Sequence, residues 1–160
     1  MKEKHPRDVF KERNLAPHSK WGQNFLVSPT ELDRVVGSAD LEPSDVVLEI
    51  GAGMGRLTRR LAEKAGRVVA VEIDKGLCKV AFQHLSGMGN VLLLQGDVLE
   101  DKHHINQKVA EKLREALDET GGELKVVSNL PYWISSPVVV SLLELEMPLA
   151  GMYVLVQAEV

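Results

Sequence analysis

Asn129-Leu130-Pro131-Tyr132 sets an amide, a restricted backbone carbonyl and an aromatic ring in four consecutive residues. Pro131 biases Leu130 toward extended backbone. That can turn the Leu130 carbonyl and the Asn129 side-chain oxygen toward one point. Two acceptors at one point suit an exocyclic amine on a purine. Such an amine is a poor nucleophile, because its lone pair is delocalised into the ring. Engaging both of its N–H groups can pyramidalise the nitrogen and aim the lone pair at an electrophilic methyl. Tyr132 offers a face for the base, and such stacking is worth roughly 1–3 kcal/mol. The chemistry is positioning and electrostatics for an in-line displacement, with little general-base work. The same four residues can also form a plain turn with a packing tyrosine, so their meaning depends on what stands beside them.

A second set stands upstream. Val46-Val47-Leu48-Glu49-Ile50 runs into Gly51, Gly53 and Gly55, and a helical pattern follows. Strand, glycine turn and helix open a nucleotide-binding α/β domain, because the glycines let a ligand approach bare backbone. The dinucleotide pattern G-x-G-x-x-G counted from Gly51 asks for a third glycine at Arg56. The mismatch weakens the dinucleotide reading and favours S-adenosylmethionine, whose methionine end needs only close backbone approach. Glu72 ends the next apolar run, where a carboxylate can accept from both ribose hydroxyls. Asp97, after Gln95-Gly96, can accept from an adenine amino group.

These residues share one sheet edge if the elements alternate as the pattern predicts. A first helix starts at Ser28 with Pro29 at N1 and Glu31 at N3, a capping-box sequence. Its buried face is Leu32, Val35, Val36 and Ala39. Strands are expected at about 46–50, 68–72, 91–95, 124–128 and 152–157. Helices are expected at 55–65, 75–86, around Ile105-Val109-Leu113-Leu117, and from Ser136-Pro137 to about 146. Near-continuous apolar strands imply burial on both faces, hence a doubly wound, mostly parallel sheet with its switch point beside the first strand. Ligands bind such sheets at the carboxyl ends of the strands. The last run, Tyr153 to Val156, is apolar. An apolar edge strand is usually covered, so the sheet is expected to be incomplete at its C-terminal edge and the natural domain to continue past Val160.

Composition narrows the classes. The 160 residues carry 44% hydrophobic residues and a net charge of -4, which fits one globular domain and does not by itself advertise nucleic acid. No apolar run reaches membrane-spanning length. The single cysteine, Cys78, excludes an internal disulfide and reads as a small apolar helix residue. Residues 1–20 form a basic arm with Lys2, Lys4, Arg7, Lys11, Arg13 and Lys20 against Glu3, Asp8 and Glu12. Such an arm can follow phosphates or lie solvated. His103-His104 on a polar stretch lacks partner ligands, so no metal is expected.

Taken together, Gly22-Gln23-Asn24-Phe25-Leu26, Glu49-Ile50-Gly51-Ala52-Gly53-Met54-Gly55 with Leu57-Thr58, Val71-Glu72-Ile73-Asp74, Gly96-Asp97 and Asn129-Leu130-Pro131-Tyr132 resemble the ordered motifs of the ribosomal RNA adenine N6-dimethyltransferases, the KsgA-like enzymes. The resemblance spans residue 20 to the end. It implies a Rossmann-like class I methyltransferase fold over residues 21–160. It also implies S-adenosyl-L-methionine as donor, and two adjacent adenines of small-subunit rRNA as substrate during ribosome biogenesis. By position, Asn24, Leu26, Gly51, Gly53, Glu72, Ile73, Asp97, Val98 and Asn129 contact the cofactor. Asn129, Leu130, Pro131 and Tyr132 hold the target base, flipped out if paired. A cytoplasmic monomer is expected, without the small helical RNA-binding domain of the family. Departures are Trp133 after the tyrosine and a long Asp97–Asn129 segment. Two other readings share these residues: the macrolide-resistance type of 23S rRNA adenine methyltransferase, and a non-catalytic nucleic-acid-binding relative like the mitochondrial transcription factors.

Overall fold

The computed structural model describes residues 28–130 and 132–156. In chain order the elements are α1 (Pro29–Ser38), β1 (Val46–Ile50), α2 (Arg56–Ala62), β2 (Arg67–Glu72), α3 (Lys75–His84), β3 (Val91–Gln95), α4 (Gln107–Thr120), β4 (Leu124–Leu130), α5 (Tyr132–Leu143) and β5 (Leu149–Val156). The strands form one parallel sheet in the order β3-β2-β1-β4-β5. The chain moves outward from β1 to β3, then crosses back to β4, so the order reverses between β1 and β4. Right-handed crossovers put α2 and α3 on one face, and α4 and α5 on the other.

Two cores follow from that arrangement. On one face Leu48, Ile50, Val69 and Val71 pack with Val109, Leu113 and Ala116 of α4 and Val138 and Leu142 of α5. On the other, Val47, Val68, Ala70 and Val127 meet Leu32, Val35 and Val36 of α1 and Leu57 and Leu61 of α2. Each fully buried leucine contributes about 1.5–3 kcal/mol. β1 is buried at all five positions, which explains why it reads as a continuous apolar run. The exception is Glu49.

Helix ends use local chemistry. Asp74 caps α3 by accepting from the Gly76 and Leu77 amides. Asn106 caps α4, and Gly121 ends it in the left-handed conformation. At the opposite sheet edge Lys125 Nζ lies 2.8 Å from Asp45 Oδ2 and donates at 2.8 Å to the Asp40 carbonyl.

Several local expectations change. Ser28 precedes α1, but its side chain makes no cap hydrogen bond. With Pro29 at N1 the first amide is already absent, so the box has one fewer donor to satisfy. Ile105 does not begin α4; it is buried in an isolated bridge to Leu99 before the helix starts. β4 runs two residues further, to Leu130, drawn on by its pairing with β5. α5 starts at Tyr132 instead of near Ser136, which leaves Pro137 inside the helix, where one intrahelical bond is lost. β5 begins at Leu149, three residues early. Asn24, Leu26, Pro131, the 1–20 arm and the side chain of Tyr132 lie outside the described residues.

Candidate active site at the switch point

The glycine turn leaves β1 where that strand's neighbour β2 still supports it. The Gly51 and Ala52 amides both donate to the Val71 carbonyl, at 2.8 and 3.1 Å. Gly51, Gly53 and Gly55 have φ of 77°, 57° and 79°. Side chains with a Cβ rarely adopt these values, so the glycines are required by the turn itself. Gly55 is also hemmed in: a Cβ there would lie 3.1 Å from Leu85.

Glu72 locks this turn. The side chain is buried, with Oε2 accepting from the Gly53 amide at 2.6 Å and Oε1 from the Asp74 amide at 2.8 Å. Burial raises its pKa, and the Asp74 and Gly53 amides oppose that rise. An ionised carboxylate has about four acceptor positions. Two are therefore left for donors arriving from the ligand side. A second brace comes from α3, where His84 Nδ1 bonds the Met54 carbonyl at 3.0 Å. Since a carbonyl only accepts, the proton sits on Nδ1.

The opposite wall is β4. The β1–β4 ladder stops at Leu48 and Val126, although β1 reaches Ile50 and β4 reaches Leu130. Beyond that point β4 stays paired with β5 as far as Leu130 opposite Val156. Ser128, fully buried, fills the gap: its Oγ accepts from the Ile50 amide at 2.8 Å. A hydroxyl thus replaces a ladder carbonyl and the two strands part, which makes the crevice expected at a switch point. The walls remain close. A Cβ placed on Gly51 would sit 4.0 Å from the Asn129 carbonyl oxygen. Glycine therefore keeps open a strip of bare backbone facing Asn129.

Beneath the turn lies a buried carboxyl, Glu49, 1% exposed. Its Oε2 has no hydrogen-bond partner, and neither has Thr58 Oγ1. Burial pushes the Glu49 pKa up to about 8. The nearby Thr58 hydroxyl and amide oppose this, while the Glu72 charge adds to it.

The structure thus brings Gly51, Gly53, Glu72, Asn129 and Leu130 to one sheet edge, with Ile73, Asp97 and Val98 beside them. Ile73 is partly exposed, Val98 is buried, and Leu130 is buried. Asp97 is exposed, and one oxygen accepts from the Leu99 amide at 3.0 Å. Three residues escaped sequence reasoning: Ser128, His84 and Glu49. A carboxylate in the apolar run of β1 was an available signal for Glu49. A side chain bonding a distant backbone group leaves no periodic trace, so Ser128 and His84 offered none. His103 and His104 are exposed, and His104 Nδ1 bonds Asp101. Burial and geometry therefore tie that pair to the surface, away from the crevice. Among the described residues no helix is long and apolar enough to cross a membrane.

Comparison with known proteins agrees with this geometry. A model of the family described as ribosomal RNA adenine dimethylase matches residues 14–160. The chain belongs to that family. A relative named ribosomal RNA small subunit methyltransferase A, from Pelotomaculum thermopropionicum, is 38% identical over 96% of this chain and 52% of its own. One of the same name from Lachnoclostridium phytofermentans is 44% identical over 96% and 50%. The chain thus spans about half the length of the curated relatives it matches. Among solved structures, the 23S rRNA methyltransferase ErmE has TM-score 0.63 at 30% identity, covering 81% of this chain and 47% of ErmE. A dimethyladenosine transferase from Plasmodium falciparum has TM-score 0.57 at 26% identity, covering 74% and 38%. The α/β expectation and the family resemblance both hold.

Proposed function

We propose that this chain is the cofactor-binding and base-positioning part of an S-adenosylmethionine-dependent rRNA adenine N6-dimethyltransferase. Its substrate is adjacent adenines of small-subunit rRNA in ribosome biogenesis. The observation that carries the reading is the crevice itself: a glycine turn locked by Glu72 faces the Asn129 carbonyl across strands that Ser128 holds apart. When bound, the cofactor supplies a methyl made electrophilic by its sulfonium. The chain's residues do the rest. Gly51 and Gly53 offer backbone to the methionine end. Glu72 accepts from ribose hydroxyls through its remaining lone pairs. Asp97 accepts from the adenine amino group, with Ile73 and Val98 flanking the ring and Asn24 and Leu26 completing the set.

Asn129 and Leu130 then hold the substrate amine by its N–H groups, Pro131 fixes the backbone, and Tyr132 stacks the base. In the transfer, N6 forms a bond to the methyl carbon as the sulfur–methyl bond breaks, and the amine loses a proton. A cytoplasmic, monomeric enzyme fits this role.

Calorimetry with S-adenosylmethionine and with NAD tests the cofactor; tighter NAD binding overturns the reading. Asn129→Ala is expected to abolish transfer while circular dichroism stays native. Near-normal transfer by that variant removes the base-positioning role. ErmE, which is similar in fold and sequence, supports a second reading with 23S rRNA as substrate. The small-subunit names of the relatives favour the first. Methylation of 30S against 50S particles separates them.

A further inference from the structure

α3 turns one face to the core and another outward, and the outward face is unusual. Leu77 and Ala81 are buried, while Lys75, Lys79 and Phe82 are exposed and follow each other at i, i+4 and i+7. They form one stripe about 10 Å long. Phe82 is 72% exposed, the most exposed large apolar side chain among the described residues. Among those residues, neither lysine enters an ion pair.

No acid lies between Lys75 and Asn90, in a chain with more acids than bases. α2, on the same face, likewise has three arginines and no acid within Arg56–Ala62, although Arg59 and Arg60 pair with Glu63 and Asp33. The other face is different. α4 carries four acids against three bases, and Glu100, Asp101, Glu144 and Glu146 flank it. The stripe also adjoins the crevice: Asp74, which caps α3, follows Glu72 by two residues, and His84 at the other end bonds the glycine turn.

We propose that the Lys75–Lys79–Phe82 stripe is a contact surface for single-stranded RNA beside the target base. The two ammonium groups meet phosphates and an unpaired base stacks on the Phe82 ring. Backbone phosphates give affinity without sequence preference, and an aromatic face accepts any base. The stripe therefore anchors flanking nucleotides while the crevice selects adenine. This rests on the preceding reading that the substrate is RNA. A paired duplex satisfies the lysines and not the phenylalanine, so unpaired RNA is the fitting partner.

The test measures binding of a fluorescent RNA, with two adjacent adenines in an unpaired segment, to the 160-residue chain across a salt series. S-adenosylhomocysteine binding is measured on the same proteins. K75A/K79A is expected to weaken RNA binding and to reduce the log–log salt slope by about two, one per lost phosphate contact. F82A is expected to weaken binding about fivefold or more without changing the slope. K108A/R114A, which removes two positive charges from α4 instead, is expected to bind RNA like the parent. All variants should bind S-adenosylhomocysteine normally. The proposal is overturned if K108A/R114A loses as much RNA affinity as K75A/K79A. It is also overturned if F82A binds unchanged, or if the parent binds S-adenosylhomocysteine but no RNA. A parent that binds RNA through the stripe but no S-adenosylhomocysteine sinks the cofactor reading and leaves the stripe standing.

Discussion

Glu49→Gln is expected to make the protein's stability less sensitive to pH, by an amount the burial of Glu49 sets. The carboxyl is 1% exposed with one oxygen unpartnered, and burial lifts its pKa from 4.5 to about 8. A raised carboxyl pKa means that the folded state keeps a proton the unfolded chain has released. Stability is then full below 4.5 and falls as pH rises toward 8, at about 1.4 kcal/mol per pH unit. By pH 7 the fall amounts to about 3 kcal/mol. Glutamine cannot ionise, so the variant keeps what the parent loses. Its buried amide N–H groups carry a penalty of about 1–3 kcal/mol, but the same at every pH. The quantity to follow is therefore the difference between variant and parent in urea unfolding, from pH 4.5 to 8. Glu72 titrates in both proteins and largely cancels. The difference should rise in favour of glutamine by about 3 kcal/mol by pH 7. A difference that stays flat within about 0.5 kcal/mol across that range would falsify the account: Glu49 would then ionise like a solvated carboxylate.

Two further substitutions test the frame around the crevice. Ser128→Ala leaves the buried Ile50 amide without its acceptor, so unfolding free energy should drop by about 1–3 kcal/mol; Ser128→Thr, which keeps the hydroxyl, should recover most of it, and equal losses would mean the hydroxyl is not the cause. Lys125→Met leaves Asp45 buried without its cation, at a cost of about 3–5 kcal/mol. Burial alone would raise the Asp45 pKa, but the Glu42 amide and Lys125 outweigh it and hold the carboxyl low. Its contribution is thus present above the ordinary carboxylate range and lost as pH falls through the depressed value. The methionine variant should lose that acid limb, and adding Asp45→Asn should restore stability near neutrality.

Much of this fold could be read from the chain because its central strands are apolar on both faces. β1, β2 and β3 fall where the Val and Leu runs put them. β4 and α5 did not, and for one reason: Pro137 looks like a helix start and Pro131 like a strand end. Pairing with β5 carries β4 on to Leu130, and α5 forms through Pro137 at the loss of one hydrogen bond. The site divides in a similar way. Glycines that must adopt positive φ, and acids at strand ends, announce themselves by type and spacing. Ser128 and His84 act by reaching across the fold, 78 and 30 residues along the chain, and nothing local marks them.

The crevice has a kinetic consequence. Its walls, Ile50 and Ser128, are joined only after all the intervening strands and helices have taken their places, since β2, β3 and α4 lie between them in sequence. Closing so long a loop is entropically unfavourable until the contacts it enables are made. No partly folded state that lacks β4 can therefore hold the ligand between Gly51 and Asn129. A ligand that recognises only the finished crevice lowers the native state and leaves the folding barrier untouched. Its stabilisation should surface almost wholly as slower unfolding, with refolding proceeding at the ligand-free rate.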